Sequence, residues 1–223
     1  YHITRAIHNV PRLPNGTTLW YGTQSDPKTK HPNSDSFTPN RLVSASLNPK
    51  TGQAFATETS GSGGGSYLLT KHSKVSLRKL TPEQLNSGEH TIEVSGEKAK
   101  LIQDYDMGEK TPENYSKLRK SVPELQDHHF FEGMNENIHI TDSKHIIPIA
   151  HVVKINVHGD QPGISVDHLS TNPGENEVIL PHNSIFKQSA PSEFSHIGRD
   201  WDGEPSAVIV HHYNYTGVSN ANI

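Results

Sequence analysis

Short runs of alternating apolar and polar residues are the main pattern along the chain, and they predict β-strands. The clearest is residues 151–157, where branched apolar residues at every second position would share one face. Residues 17–23 are rich in aromatic and β-branched side chains and follow the turn pair Asn15-Gly16. Three further runs complete the predicted strands: residues 41–46, 177–180 and 206–213.

Three segments carry helix signals. Residues 81–84 read Thr-Pro-Glu-Gln, with a capping residue, Pro at the first helical position and Gln three residues after the cap. Residues 111–113 begin a second helix in the same way. Residues 48–59 favour a third helix that faces inward through Ala54 and Phe55. Because strands outnumber short helices, we expect an α+β fold.

The composition predicts that long polar loops connect these strands and helices. The chain has 223 residues, of which 31% are hydrophobic, and it contains 17 Gly and 15 Pro, so turns and loops should surround a compact core. Residues 60–66 read SGSGGGS, which is typical of a flexible coil, and are either a natural loop or an engineered linker. The chain begins with Tyr1 rather than Met, so we expect it to be part of a longer protein.

Charge and residue types narrow the function classes. The formal net charge of −4 predicts no basic surface for nucleic acid, and no apolar run is long enough to span a membrane. The absence of Cys excludes disulfides, thiolate metal sites and a cysteine nucleophile. The 16 histidines lack the HExxH spacing, and the neighbours in His128-His129 and His211-His212 would point to opposite faces of a strand. We therefore expect no metal site.

The sharpest candidate for chemistry is Glu175-Asn176-Glu177, at the start of a predicted strand. Residues i and i+2 of an extended chain point to the same face, so both carboxylates can enter one cleft about 7 Å apart. Such a pair can divide the work of glycosidic-bond chemistry. One group stabilises a developing oxocarbenium charge, and the other positions or deprotonates the nucleophile. Two solvated acids on a loop rich in Gly and Pro would show the same spacing.

The surroundings of this pair resemble the arginine-type mono-ADP-ribosyltransferases of bacterial toxins and effectors. In that family a Glu-x-Glu turn leads into an apolar strand, a Pro and a turn, as residues 175–186 do here. Ser44-Ala45-Ser46 is similar to the family's Ser-Thr-Ser element, and residues 18–23 are similar to its first core strand. The resemblance implies an α+β, ADP-ribosyltransferase-like core of two small packed β-sheets, with few short helices and a large insertion.

The resemblance also implies a domain organisation, because the interval between Ser46 and Glu175 is longer than the family core requires. We expect residues 1–66 to form the N-terminal part of an NAD-binding core. Residues 67–148 would form an inserted, partly helical subdomain that recognises the target protein. Residues 149–223 would form the C-terminal part of the core and carry the Glu-x-Glu turn.

Roles for single residues follow from the same resemblance. Glu177 would stabilise the oxocarbenium ion as nicotinamide leaves, Glu175 would orient or deprotonate an acceptor guanidinium, and Ser44 would hold Glu177. The implied cofactor-binding residues are Arg5, Tyr21, Gly22, Thr23, Ser46 and Phe55.

The cation that faces the pyrophosphate of NAD is the main departure from the family pattern. Tyr21 stands where the family has Arg or His, and a tyrosine cannot neutralise a pyrophosphate. Arg5, in a strand-like segment before the first core strand, is the expected replacement, ahead of Arg12 and Arg41.

The function implied is an NAD-dependent mono-ADP-ribosyltransferase that modifies a protein, with arginine as the expected acceptor, NAD as the co-substrate and no metal. Two alternatives stay open: an NAD glycohydrolase on the same fold, and a non-catalytic binding module that lost turnover with the missing Arg. The resemblance implies a secreted or translocated effector that acts in the cytoplasm of a target cell.

Overall fold

The structure is a computed structural model that describes residues 12–30, 34–59, 65–125, 144–167, 174–199 and 203–219. The strands in these residues are β1 (Thr18–Thr23), β2 (Ser36–Phe37), β3 (Val43–Ser46), β4 (Tyr67–Thr70), β5 (Thr91–Val94), β6 (Ile146–Val157), β7 (Ile164–Ser165), β8 (Glu177–Leu180), β9 (Ser184–Arg199) and β10 (Pro205–Val218). The helices are α1 (Pro49–Thr59), α2 (Pro82–Ser87), α3 (Glu97–Met107) and α4 (Pro112–Ser121).

The strands of the described part join in one main sheet, in the order β2-β9-β10-β6-β1-β3-β8-β7, while β4 pairs with β5 and β6. The described residues form mostly strands, with four helices, which is the expected α+β character. The expectation of two small packed sheets is wrong. The reason is β6, a 12-residue strand that pairs with β1 through its C-terminal half and with β4 through its N-terminal half, so that one strand serves both ladders.

Two compact units share these strands. The first unit comprises Tyr1–Ala56, His151–Ser192 and Val210–Ile223, and the second comprises Thr57–Ala150 and Glu193–Ile209. The domain boundaries expected from the sequence, at residues 1–66, 67–148 and 149–223, stay a prediction. Residues 60–64 of the Ser/Gly segment lie outside the described residues, as do Arg5, His128 and His129.

The core of the first unit follows from strand alternation. In β3 and β8 the buried apolar residues are Val43, Ala45, Val178 and Leu180, and they join one apolar cluster with Leu19 of β1. The pairing of β3 with β8 is antiparallel, with Ser46 opposite Glu177. Because successive side chains in a strand point to opposite faces, the residues between these apolar positions lie on the other face of the sheet.

The second unit contains the capped helices and two apolar clusters. Thr81 accepts a hydrogen bond from the Gln84 amide, and the Gln84 side chain accepts one from the Thr81 amide, so the predicted capping box is confirmed. Thr111 likewise caps α4 through the amide of Asn114. Around these helices, one cluster gathers residues of α3 and α4 with Ile146 of β6. The other gathers residues such as Leu77, Leu85 and Ile147.

Helix α1 packs on β1 through glycine. A Cβ on Gly22 would lie 2.4 Å from the backbone nitrogen of Ala56, and a Cβ on Gly52 would lie 2.5 Å from the Cβ of Trp20. The expectation that α1 faces inward through Phe55 is therefore wrong. The i, i+4 spacing of Gly52 and Ala56 sets the inner face of the helix, and it leaves Phe55 41% exposed.

Candidate active site

The Glu-x-Glu turn, residues 174–177, is bent and tied at several backbone positions. Gly174 has φ 102° and Asn176 has φ 51°, so both occupy the left-handed region that is unfavourable for most side chains. The Leu47 amide donates to the Asn176 carbonyl at 3.1 Å. The Val166 amide donates to the Glu177 carbonyl at 3.0 Å. The residues that directly follow β3 and β7 therefore hold the turn at its C-terminal end.

Two serines of β3 contact the two glutamates. Ser44 Oγ donates a hydrogen bond to Glu177 Oε1 at 2.5 Å. Ser46 Oγ donates to the backbone carbonyl of Glu175, and it accepts from the Asn48 amide at 2.9 Å. Ser44 is exposed and Ser46 is buried, while both glutamates are partly exposed. The structure thus brings together Ser44, Ser46, Glu175 and Glu177, four of the residues that sequence reasoning selected.

A row of cross-strand partners crosses the sheet at this point, and we call Lys154, Trp20, Ser46 and Glu177 the cross-strand row. Lys154 of β6 lies opposite Trp20 of β1, Trp20 lies opposite Ser46, and Ser46 lies opposite Glu177. Directly opposed residues share a face, so these side chains lie on the face away from the apolar cluster. Lys154 Nζ stands 5.6 Å from the centroid of the Trp20 ring. The row places a cation and an aromatic ring on the same face as Glu177.

Tyr21 lies on the other face of β1. Its ring packs against the apolar cluster of the first unit, and its hydroxyl accepts a hydrogen bond from Arg41 Nη2 at 2.7 Å. Arg41 is exposed. A guanidinium therefore accompanies the tyrosine that stands at the family's cationic position.

The other predicted cofactor-binding residues occupy different surroundings. Gly22 lies against the backbone of α1, and Thr23 is opposite His151 in the β1–β6 ladder. Phe55 is on the outer face of α1. Arg12 Nη1 donates to the backbone carbonyl of Asp160 at 3.0 Å. The roles of these residues toward NAD stay predictions, as does the role of Arg5.

Sequence reasoning missed Asp167 and Lys154. Asp167 Oδ1 accepts hydrogen bonds from the amides of Gly174 at 3.0 Å and Asn176 at 2.8 Å, so it braces the Glu-x-Glu turn. No local motif marks Asp167, because its partners are seven and nine residues away. Lys154 carries a weak signal, since the alternation of residues 151–157 puts it on the polar face, but alternation does not identify its partner across the ladder.

A second group of ionisable residues is buried on the apolar face, and we call His151 and His211 the histidine pair. His151 Nδ1 and His211 Nε2 are 2.9 Å apart, and Ser192 Oγ is 2.7 Å from His211 Nδ1. His151 is 2% exposed and His211 is 1% exposed. Burial lowers the pKa of His151 to about 3 and the pKa of His211 to about 4. Asp26 Oδ1, 3.7 Å from His211 Nδ1, opposes these shifts without reversing them, so both rings are neutral at pH 7.

The solved structures that are similar to the chain include two bacterial proteins. The chain is similar to an ADP-ribosyltransferase from Clostridium botulinum, with 12% identity, a TM-score of 0.34 and coverage of 95% of this chain and 66% of that chain. It is also similar to an ADP-ribosyltransferase toxin from Paenibacillus larvae, with 16% identity, a TM-score of 0.19 and coverage of 28% of this chain and 29% of that chain. The chain thus spans just under two thirds of the length of the Clostridium botulinum protein.

No family model matches the chain, and no curated protein matches it. Among the described residues, no helix has the length and apolar character needed to cross a membrane.

Proposed function

We propose that the protein transfers ADP-ribose from NAD to a guanidinium group of a protein acceptor and releases nicotinamide. The observation that carries the proposal is the hydrogen bond from Ser44 Oγ to Glu177 Oε1 at 2.5 Å, made at the second glutamate of the Glu-x-Glu turn. This bond fixes the direction of one carboxylate, which electrostatic stabilisation of a transient cation requires. It also matches the role that the sequence resemblance implies for Ser44.

The proposed reaction divides its work between the two glutamates. The bond between the nicotinamide nitrogen and C1′ of the ribose breaks, its electron pair leaves with nicotinamide, and the Glu177 carboxylate stabilises the positive charge that develops on the sugar. A nitrogen of the acceptor guanidinium then bonds to C1′ and passes a proton to Glu175. The bend at Asn176 sits between the two carboxylates and sets their relative direction.

Charge near the cross-strand row supports a dinucleotide as co-substrate. The pyrophosphate of NAD needs a cation or several donors where it leaves water. Lys154 and the Trp20 ring share the face of Glu177, and they fit a phosphate and a flat ring respectively. Arg41, hydrogen-bonded to Tyr21, is an exposed cation, but its tyrosine partner lies on the other face of β1. Among the described residues we propose Lys154 as the cation for the pyrophosphate, while Arg5 stays a prediction from the sequence.

The experiment that tests the proposal separates three activities. The purified chain is incubated with NAD alone, with NAD and agmatine as a small guanidinium acceptor, and with labelled NAD and a cell lysate. Nicotinamide release with labelled agmatine or labelled protein supports the transferase. Release without any labelling assigns the chain to the NAD glycohydrolases, and no release with no NAD binding assigns it to binding modules. Ser44→Ala removes the Oγ donor to Glu177 and should reduce nicotinamide release. Ser165→Ala, on the short strand β7, is the matched control and should leave nicotinamide release as in the wild type.

The place of action follows from the same proposal. An enzyme that modifies a host protein has to reach the compartment of that protein, so we propose delivery of the chain, as part of an effector, into the cytoplasm of a target cell. Labelling of a lysate from candidate target cells identifies the acceptor by its modified arginine. Labelling that survives in extracts depleted of proteins would contradict the assignment of a protein acceptor.

A further inference from the structure

Asp167 lies outside the Glu-x-Glu turn but contacts it twice. One carboxylate oxygen, Oδ1, accepts two hydrogen bonds, from the amide of Gly174 at 3.0 Å and from the amide of Asn176 at 2.8 Å. The two amides flank Glu175, so the backbone of Glu175 is held between two points fixed by the same atom. Hydrogen bonds to a charged acceptor are among the stronger ones in proteins.

These contacts oppose an unfavourable backbone conformation. Asn176 has φ 51°, which carries a cost for a residue with a side chain, and Gly174 has φ 102°. The Asn176 side chain adds one further bond within the turn, from Nδ2 to the Gly174 carbonyl at 3.0 Å. Without Asp167 this bond and the Ser46 contact to the Glu175 carbonyl would have to hold the N-terminal half of the turn.

Glu177 is held by a separate set of contacts. It is part of β8 and lies opposite Ser46 in the pairing with β3. Its carbonyl accepts a hydrogen bond from the Val166 amide, and its carboxylate accepts one from the Ser44 hydroxyl. None of these contacts passes through Asp167. Loss of the Asp167 carboxylate should therefore displace Glu175 more than Glu177.

We infer that Asp167 is a positioning residue that sets the direction of Glu175 and thereby decides how often the ADP-ribosyl group goes to a guanidinium acceptor rather than to water. The inference rests on the proposed function, in which Glu175 contacts the acceptor and Glu177 serves both outcomes. Asp167 acts through the turn and touches neither NAD nor the acceptor. Misplacement of a reacting group by about 1 Å can cost large factors in rate, so a displaced Glu175 should reduce transfer selectively.

The test measures a ratio, transfer to agmatine divided by total nicotinamide released, for the purified chain and three variants. Asp167→Ala removes the acceptor oxygen, and the ratio should fall about tenfold while nicotinamide release falls by less than about threefold. Asp167→Asn keeps an oxygen at the same place and should restore most of the ratio. Asp160→Ala is the matched control, because Asp160 also accepts a backbone amide in a loop, that of Asn15 at 3.3 Å, but lies away from the turn.

The ratio distinguishes positioning from stability, because a smaller folded fraction lowers transfer and release together. An unchanged ratio in Asp167→Ala, an equal loss of both reactions, or a ratio in Asp167→Asn as low as in Asp167→Ala would each overturn the inference. A wild-type chain that releases no nicotinamide, or releases it without transfer to agmatine, overturns the proposed function instead.

Discussion

The Glu-x-Glu turn and the histidine pair place ionisable side chains on opposite faces of the same sheet, and the two faces treat charge differently. Glu177 and Glu175 are partly exposed and accept hydrogen bonds from β3, either at the carboxylate or at the backbone. His151 and His211 lie on the apolar face, at i, i+2 spacing from Val153 and Tyr213 of the core cluster. The two carboxylates are thus accessible to solvent, whereas the two imidazole rings are buried and neutral.

The histidine pair and the glutamates differ in what fixes their ionisable groups. A lowered pKa and a chain of hydrogen bonds draw attention to the histidine pair, yet burial is the main cause of the shift, and the rings hydrogen-bond to each other and to Ser192. The glutamates combine exposure, a fixed direction and an aromatic and a cation on the same face. The proposed catalytic role therefore stays with the turn, and we expect the histidine pair to affect stability.

Substitution of Glu177 should reduce nicotinamide release more than any other single change. Glu177→Gln keeps the size of the side chain and removes the charge that opposes the oxocarbenium ion, so nicotinamide release should fall about 10²- to 10³-fold. The midpoint of thermal unfolding should stay close to that of the wild type, since the strand register does not depend on this charge. Liquid chromatography of nicotinamide and a thermal melt measure the two quantities. A variant with more than half of wild-type turnover would remove Glu177 from the catalytic role.

Glu175→Gln should give a smaller and selective effect. Its proposed contact is with the acceptor, so transfer to agmatine should be lost while much of the NAD hydrolysis remains. Measuring both products in one reaction gives the comparison directly, with the exposed Glu193→Gln as a control for general changes of charge. Equal losses of transfer and hydrolysis would show that the two glutamates do not divide the work as proposed.

The histidine pair predicts how stability depends on pH. Both rings are buried and neutral in the folded chain, with pKa values of about 3 and about 4, whereas the unfolded chain binds protons at about 6.5. The unfolded state therefore takes up more protons between these values. The contribution of the pair to the free energy of unfolding is fully present above about pH 6.5. It decreases as the pH falls toward 4, by at most about 1.4 kcal/mol per pH unit for each ring.

Urea unfolding at pH 7.5 and at pH 5 measures this loss. His211→Gln removes one of the two titrating rings and should reduce the difference between the two pH values. His158→Gln, at an exposed position, is the matched control and should leave the difference as it is in the wild type. Equal free energies of unfolding at both pH values in the wild type would contradict a buried neutral pair.

The sequence predicted those helices and strands that are marked by their own residues, such as capping residues or an apolar run. The capping residues at Thr81 and Thr111 located two helices, and the EVIL segment coincides with β8. Helix α3 was missed because Gly96 precedes it without a capping side chain. Most of β9 was missed because residues 187–196 are mostly polar and largely exposed, so neighbouring strands rather than alternation define it.

The same distinction explains which parts of the site could be predicted. Glu175 and Glu177 form a short motif, and the serines near them belong to a short strand, so both were accessible to sequence reasoning. The brace from Asp167 and the partners of Lys154 depend on contacts between separate strands and loops, which no local pattern encodes. Pro148 lies within β6 opposite Tyr67, so the strand continues on the N-terminal side of the alternating residues 151–157, and this continuity is why one main sheet forms instead of two.

The smallest expected effect concerns the cation that faces NAD. If Lys154 supplies it, Lys154→Ala should weaken NAD affinity by roughly 1.5 to 3 kcal/mol, which is typical of a hydrogen bond to a charged group. Lys154→Arg should retain most of the affinity, because the charge and its contact with Trp20 are kept. Calorimetric titration of these two variants together with Arg5→Ala and Arg41→Ala compares the sequence prediction with the residues placed by the structure. A loss confined to Arg5→Ala would assign the pyrophosphate to Arg5, and a loss confined to Arg41→Ala would place it beside Tyr21. Either result would leave Lys154 as a partner of the Trp20 ring alone.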